Sequence, residues 1–174
     1  MKYGLKTVLA GLGLACAMTG AMTGGAAAAE PQPVATYKDW SVFVRDVEGD
    51  KICFAASEAT DKSPKTVNHG DVFFIIATWK SGAATDQPSL MVGYNLKDAP
   101  APTLRIGSEK WDMYASQNEA FIESGASEQS LVSAMRRGAD MRVSAVSSRG
   151  TATSYQVSLS GVSAALDRAS QACK

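Results

Sequence analysis

Two runs of alternating hydrophobicity, facing each other across a glycine turn, constrain this chain most. Met141, Val143 and Ala145 alternate with Arg142 and Ser144. After Ser148-Arg149-Gly150, the residues Tyr155, Val157 and Leu159 alternate with Gln156 and Ser158. Successive side chains of a strand point to opposite faces, so each run has one apolar and one polar face, and the turn between them predicts a hairpin. A lone hairpin cannot hide an apolar face from water. The runs must therefore belong to a larger sheet that packs on something.

The rest of the chain supplies that sheet. Residues 39–45 place Trp40, Val42 and Val44 on one face, and a turn at Val47-Glu48-Gly49-Asp50 leads into a second strand over 51–57. The run Asp71-Val72-Phe73-Phe74-Ile75-Ile76-Ala77-Thr78-Trp79 is the most apolar stretch downstream of the N-terminal segment, and its β-branched and aromatic content predicts a strand buried on both faces. Further strands are expected over 89–94, 103–106, 111–114 and 119–123, with polar loops at 61–70 and 80–88. Many short strands with turns every ~8–12 residues are the pattern of a mostly β sandwich.

Two short helices complete the expectation. Near 128–137, Ser127 is placed to cap the start, Leu131, Val132 and Met135 share a face, and Gly138 ends the helix. Arg136 and Arg137 fall in its last turn, where cations oppose the helix dipole, so they read as a helix-end feature. Near 161–173, Ser160 is placed as cap, and Val162, Leu166, Ala169 and Cys173 share one face. Cys173 thus points toward the core.

The first 29 residues have a different character. Lys2 and Lys6 precede a short apolar run over 7–17, and small residues end in Ala26-Ala27-Ala28-Ala29. This is the form of an export signal cleaved near Ala29, and it is too short to anchor the chain in a bilayer. Lipidation of Cys16 is disfavoured, because Gly13 and Leu14 stand in the reverse of the order such a signal needs. Residues 30–36 (Glu-Pro-Gln-Pro-Val-Ala-Thr) read as a flexible leader, and 37–174 as one domain.

Cleavage changes the arithmetic. The whole chain has 17 basic and 17 acidic residues. Losing Lys2 and Lys6 leaves a slightly acidic domain, unlike the basic surface of a nucleic-acid binder. Of three cysteines, Cys16 goes with the signal and Cys53 and Cys173 remain. An even count in an exported protein favours one disulfide, with two free buried thiols as the alternative. A closed loop of this length is worth up to ~4.7 kcal/mol in the chain-entropy model.

Catalytic chemistry finds little to work with. His69 is the one histidine, it lies in the turn-like Asn68-His69-Gly70-Asp71, and no Gly-x-Ser-x-Gly elbow accompanies it. It reads as an ordinary loop residue. Asp46, Glu48 and Asp50 form the densest acidic group but lack calcium-loop spacing. Glu119 and Glu123 could be imagined as a glycosidase pair, although scattered surface carboxylates are commoner. Trp79 beside Lys80 and Trp111 beside Lys110 suggest either packing or a recognition patch, with packing the commoner role. No catalytic, cofactor-binding or metal-ligating set emerges.

The residues also resemble a known family. The order Leu131-Val132-Ser133-Ala134-Met135-Arg136-Arg137-Gly138, Met141-Arg142-Val143, Ser147-Ser148-Arg149-Gly150-Thr151-Ala152-Thr153, Ser158-Leu159-Ser160-Gly161 and Ala172-Cys173 is similar to that of the invasion-associated locus B family of exported bacterial proteins. Trp40-Ser41-Val42, Ile52-Cys53-Phe54-Ala55, Asn68-His69-Gly70-Asp71 and Gly93-Tyr94 extend the resemblance over about residues 37–173. Gln156-Val157 departs from it, where many relatives carry Tyr before the Ser-Leu pair.

The resemblance implies an immunoglobulin-like β-sandwich, export, and no catalytic residues to carry over. It also strengthens a Cys53–Cys173 bridge. The family takes its name from host-cell invasion by intracellular pathogens, but relatives occur in free-living bacteria. The expected function is a non-enzymatic envelope protein, periplasmic or on the outer surface, that binds a protein or envelope component through the loops at 61–70 and 80–88 or an exposed sheet face. Two alternatives stand beside it. One is a small-ligand carrier with an apolar pocket lined by Phe73, Ile75 and Trp111. The other is a cryptic hydrolase using His69 or a carboxylate pair.

Overall fold

A computed structural model describes residues 33–174. The segment expected to be an export signal, its expected cleavage site and Cys16 lie outside the described residues. In chain order the strands are β1 (Ala35–Tyr37), β2 (Trp40–Val47), β3 (Asp50–Glu58), β4 (Asp61–Ser63), β5 (Phe73–Trp79), β6 (Gln87–Met91), β7 (Thr103–Ile106), β8 (Glu109–Ser116) and β9 (Glu119–Ile122). Helix α1 (Ala126–Arg137) follows, then β10 (Asp140–Val146), β11 (Ala152–Ser158) and helix α2 (Val162–Ala172).

The pairing order is β1-β2-β3-β5-β6-β9-β8-β7-β10-β11-β4, antiparallel throughout. The expected mostly β sandwich is what the chain forms. Two places turn this ribbon into two layers. The first half of β8 pairs with β7 (Leu104 opposite Trp111), and its second half pairs with β9 (Met113 opposite Ile122). A strand that changes partners midway makes a sandwich corner. At the second place, Ala59 N–H donates to the Val72 carbonyl in one layer while Thr60 N–H donates to the Gln156 carbonyl in the other (2.9 and 2.8 Å).

Alternation carries the core. Trp40 and Val42 of β2, Cys53 and Ala55 of β3, Leu104 of β7, Met141 and Val143 of β10, and Tyr155 and Val157 of β11 are buried in one cluster. The hairpin expected from 141–159 forms in register, with Val143 opposite Tyr155.

Some expectations need correction. Strand β5 is not buried on both faces: Phe74 and Ile76 enter the core, while Phe73, Ile75 and Ala77 are half-exposed. On the same outward face, Phe43 of β2 stacks on Phe54 of β3 at 5.1 Å, and Phe54 lies opposite Ala77 of β5. The end of the leader is not loose, because Ala35 and Thr36 pair with Val42 and Ser41 along the edge of β2. The loop at 61–70 begins as a strand, β4, which extends the second layer beyond β11.

Neither helix uses the serine cap expected of it. Helix α1 starts after Gly125, whose N–H donates to Glu128 Oε2 at 3.2 Å. Helix α2 starts after Gly161, at φ 95°. A Cβ at Gly161 would lie 1.9 Å from the Tyr37 carbonyl oxygen, so close approach to the sheet edge excludes a side chain there. Val162, Ala165, Leu166 and Ala169 are buried, and fully burying Val162 and Leu166 contributes about 2 kcal/mol each. The inward Cys173 is joined to Cys53, 120 residues away, with the Cα atoms 5.8 Å apart.

Candidate functional site

A connected set of polar side chains is built around His69. Its exposure is 6%, so it is not an ordinary loop residue. Its Nε2 lies 2.9 Å from the Pro64 carbonyl and its Nδ1 lies 3.0 Å from the Tyr155 hydroxyl. A carbonyl only accepts, so Nε2 carries a hydrogen. The second ring nitrogen, Nδ1, pairs with the Tyr155 hydroxyl.

The network continues outward from there. The Tyr155 and Tyr94 hydroxyls are 2.5 Å apart, and the Tyr94 hydroxyl is 2.7 Å from Thr153 Oγ1. Thr153 in turn donates to the Ala145 carbonyl at 3.2 Å. The Tyr94 hydroxyl thus bridges Tyr155 and Thr153. Burial first, then the hydrogen bond with Tyr94, pushes the Tyr155 phenol above its ordinary range, so it stays a neutral donor.

Local sequence explains the assembly. Tyr155 sits in the inward row of β11, where a buried hydroxyl must find a partner. The segment that brings His69 passes the Gly93 backbone so closely that a Cβ at Gly93 would lie 2.7 Å from the His69 carbonyl oxygen. Gly93 N–H donates to that same oxygen at 3.2 Å. Asn68 Oδ1 accepts the Gly70 N–H at 2.9 Å and shapes the turn. Asn68-His69-Gly70 and Gly93-Tyr94 are thus two halves of one contact.

A cleft of about 200 Å³ opens at the outer end of the network. Its walls are Val67, Asn68, Tyr94, Ser147, Arg149, Thr151 and Thr153. Arg149, expected from the sequence only as part of the hairpin turn Ser148-Arg149-Gly150, thus also forms a wall of this cleft.

The remaining candidates are dispersed. Among the described residues, no hydrogen bond or ion pair joins Glu119 or Glu123 to His69 or to each other. Asp50 accepts hydrogen bonds from Ser81 and the Lys51 N–H, which hold its carboxyl below the usual range and tie the β2–β3 turn to the loop at 80–88. Trp111 packs in the core and donates Nε1–H to Ser130 Oγ at 2.8 Å. Phe73 and Ile75 lie on the outward row of β5 while Trp111 lies in the core, so the three do not line one pocket. Among the described residues no group of three or more His, Cys, Asp or Glu could hold a metal, and no helix is long and apolar enough to cross a membrane.

Together these features define a class: a small β-sandwich closed by one disulfide, with its histidine spent on internal hydrogen bonds. The sequence profile of the Invasion associated locus B (IalB) protein family matches residues 40–170, and the chain belongs to that family. Its fold is similar to the crystal structure of invasion associated protein B from Bartonella henselae. The TM-score is 0.58 and the identity 18%, over 79% of this chain and 95% of that one. No curated protein matches the chain.

Proposed function

We propose that this protein is exported, works in the periplasm or on the outer surface, and acts without catalysis by binding a protein or an envelope component. The observation that carries this reading is the commitment of His69. Both ring nitrogens are engaged in structural hydrogen bonds, one to a main-chain carbonyl and one to a buried tyrosine. A general base needs a free nitrogen that can reach a substrate proton. The N-terminal signal form and the Cys53–Cys173 bridge support an oxidising compartment.

A part in host-cell invasion belongs to this reading where the source organism enters host cells. Crosslinking in the native cell, followed by identification of the captured species, tests the proposal. Recovery of a specific envelope or host component supports it. Turnover of an ester, peptide or glycan by the purified protein, abolished by a point substitution, overturns it.

A further inference from the structure

The cleft beside the buried network carries a more specific assignment, which rests on the binding reading above. Its lining contains one cation, Arg149, and no carboxylate. Arg149 is exposed and forms no ion pair among the described residues. Three more donors face the same space uncommitted. Asn68 has its Oδ1 fixed by the Gly70 N–H, which leaves the Nδ2 hydrogens free. Ser147 is buried and its Oγ accepts the Thr151 N–H at 3.1 Å, leaving its own O–H to donate. The Thr151 hydroxyl has no partner among the described residues.

The mount is rigid. Ser147 N–H donates to the Thr151 carbonyl at 2.9 Å and Gly150 N–H to the Ser147 carbonyl at 2.8 Å. Ser148 N–H is held by the Asn95 carbonyl at 2.8 Å. Gly150, at φ 88°, supplies the left-handed residue the turn requires. Tyr94 and Thr153, at the back wall, are locked to each other and to Tyr155. A turn backbone held this firmly loses little freedom on binding.

We propose that this cleft binds a carboxylate-bearing sugar of the uronic-acid kind. A single guanidinium matches the two oxygens of one carboxylate. The hydroxyl and amide groups around it match the ring hydroxyls of a sugar, since each can donate. At about 200 Å³ the space is below the ~300–1,000 Å³ of drug-sized sites and admits one ring.

The test titrates the purified exported protein with methyl glucuronide, methyl glucoside, acetate and inorganic phosphate, followed by backbone NMR. Methyl glucuronide is expected to shift the amides of Asn68, Tyr94, Arg149 and Thr151, and added salt to weaken it. Methyl glucoside is expected to bind at least tenfold more weakly. Arg149→Gln should weaken the glucuronide at least tenfold and Arg149→Lys by less. Thr151→Val should weaken it without touching the charge. Arg149 is exposed, so an unchanged unfolding midpoint certifies each fold. Equal binding of glucoside and glucuronide, an Arg149→Gln variant that binds normally, or phosphate or acetate shifting the same amides as strongly overturns the assignment. Silence from every probe also overturns it, and leaves the broader binding reading to the crosslinking result.

Discussion

Tyr155 and His69, 86 residues apart in the chain, meet at 3.0 Å through the phenol oxygen and Nδ1, with their rings edge to face at 5.4 Å. The contact joins β11 in the second layer to the segment between β4 and β5. It thus fixes the place where the chain passes from one layer back to the other.

Removing either partner should destabilise the fold unequally. His69→Ala leaves the Pro64 carbonyl without its ring partner and the Tyr155 hydroxyl with Tyr94 alone, at a cost of about 2–4 kcal/mol. Tyr155→Phe keeps the ring packing and deletes the hydroxyl, at a cost of about 1–2 kcal/mol. Urea unfolding reads both, and an unchanged midpoint for His69→Ala would show that the network adds nothing.

The same hydroxyl sets an alkaline limit. Burial raises the Tyr155 phenol, so the folded state holds its proton more tightly than the unfolded chain does. The resulting stability is fully present below the ordinary phenol value of about 10 and is lost progressively as pH rises beyond it. Stability measured from pH 9 upward should therefore fall more steeply in the parent than in Tyr155→Phe. Parallel curves would exclude Tyr155 as the source.

Glycine substitutions should separate steric need from backbone need. Gly93→Ala drives a Cβ to 2.7 Å from the His69 carbonyl oxygen and 2.9 Å from Gly70 Cα, both main-chain atoms that cannot swing aside. Gly49→Ala meets nothing within 4 Å and strains only its positive φ of 87°. The first is expected to cost more than about 3 kcal/mol and the second about 1 kcal/mol. Comparable thermal shifts for the two would contradict the close approach.

The bridge between Cys53 and Cys173 is expected to leave no free thiol in unfolded, unreduced protein. Replacing both cysteines by alanine should cost about 3–5 kcal/mol. Amide exchange should rise first in Val162–Ala172, because α2 is pinned at its C-terminal end. Two labelled thiols in the parent protein would remove the bridge.

Local chemistry was legible in proportion to how local it is. The alternation in 141–145 and 155–159 and the glycine turn between them report a hairpin because a strand's two faces repeat every second residue. The inward face of α2 was readable for the same reason, with a helical period. Strand β8 escaped such reading. Trp111 and Met113 continue one unbroken alternation, yet they pair with different strands in different layers. The serine caps failed because glycine was required at both helix starts, and at Gly161 the reason is a carbonyl from a distant strand. His69 looked like a turn residue because its neighbours in sequence are turn formers, while its partners, Pro64 apart, are far away.

The sequence alone determined the class of fold, the pair of cysteines and the scarcity of catalytic groups, because composition and short-range periodicity act through the chain's own geometry. Tertiary structure decided which strand crosses between layers, that His69 is consumed by Tyr155 and Pro64, and that Arg149, without an ion pair among the described residues, stands over a donor-lined cleft. Those outcomes depend on hydrogen bonds and contacts between residues brought together only when the two layers close.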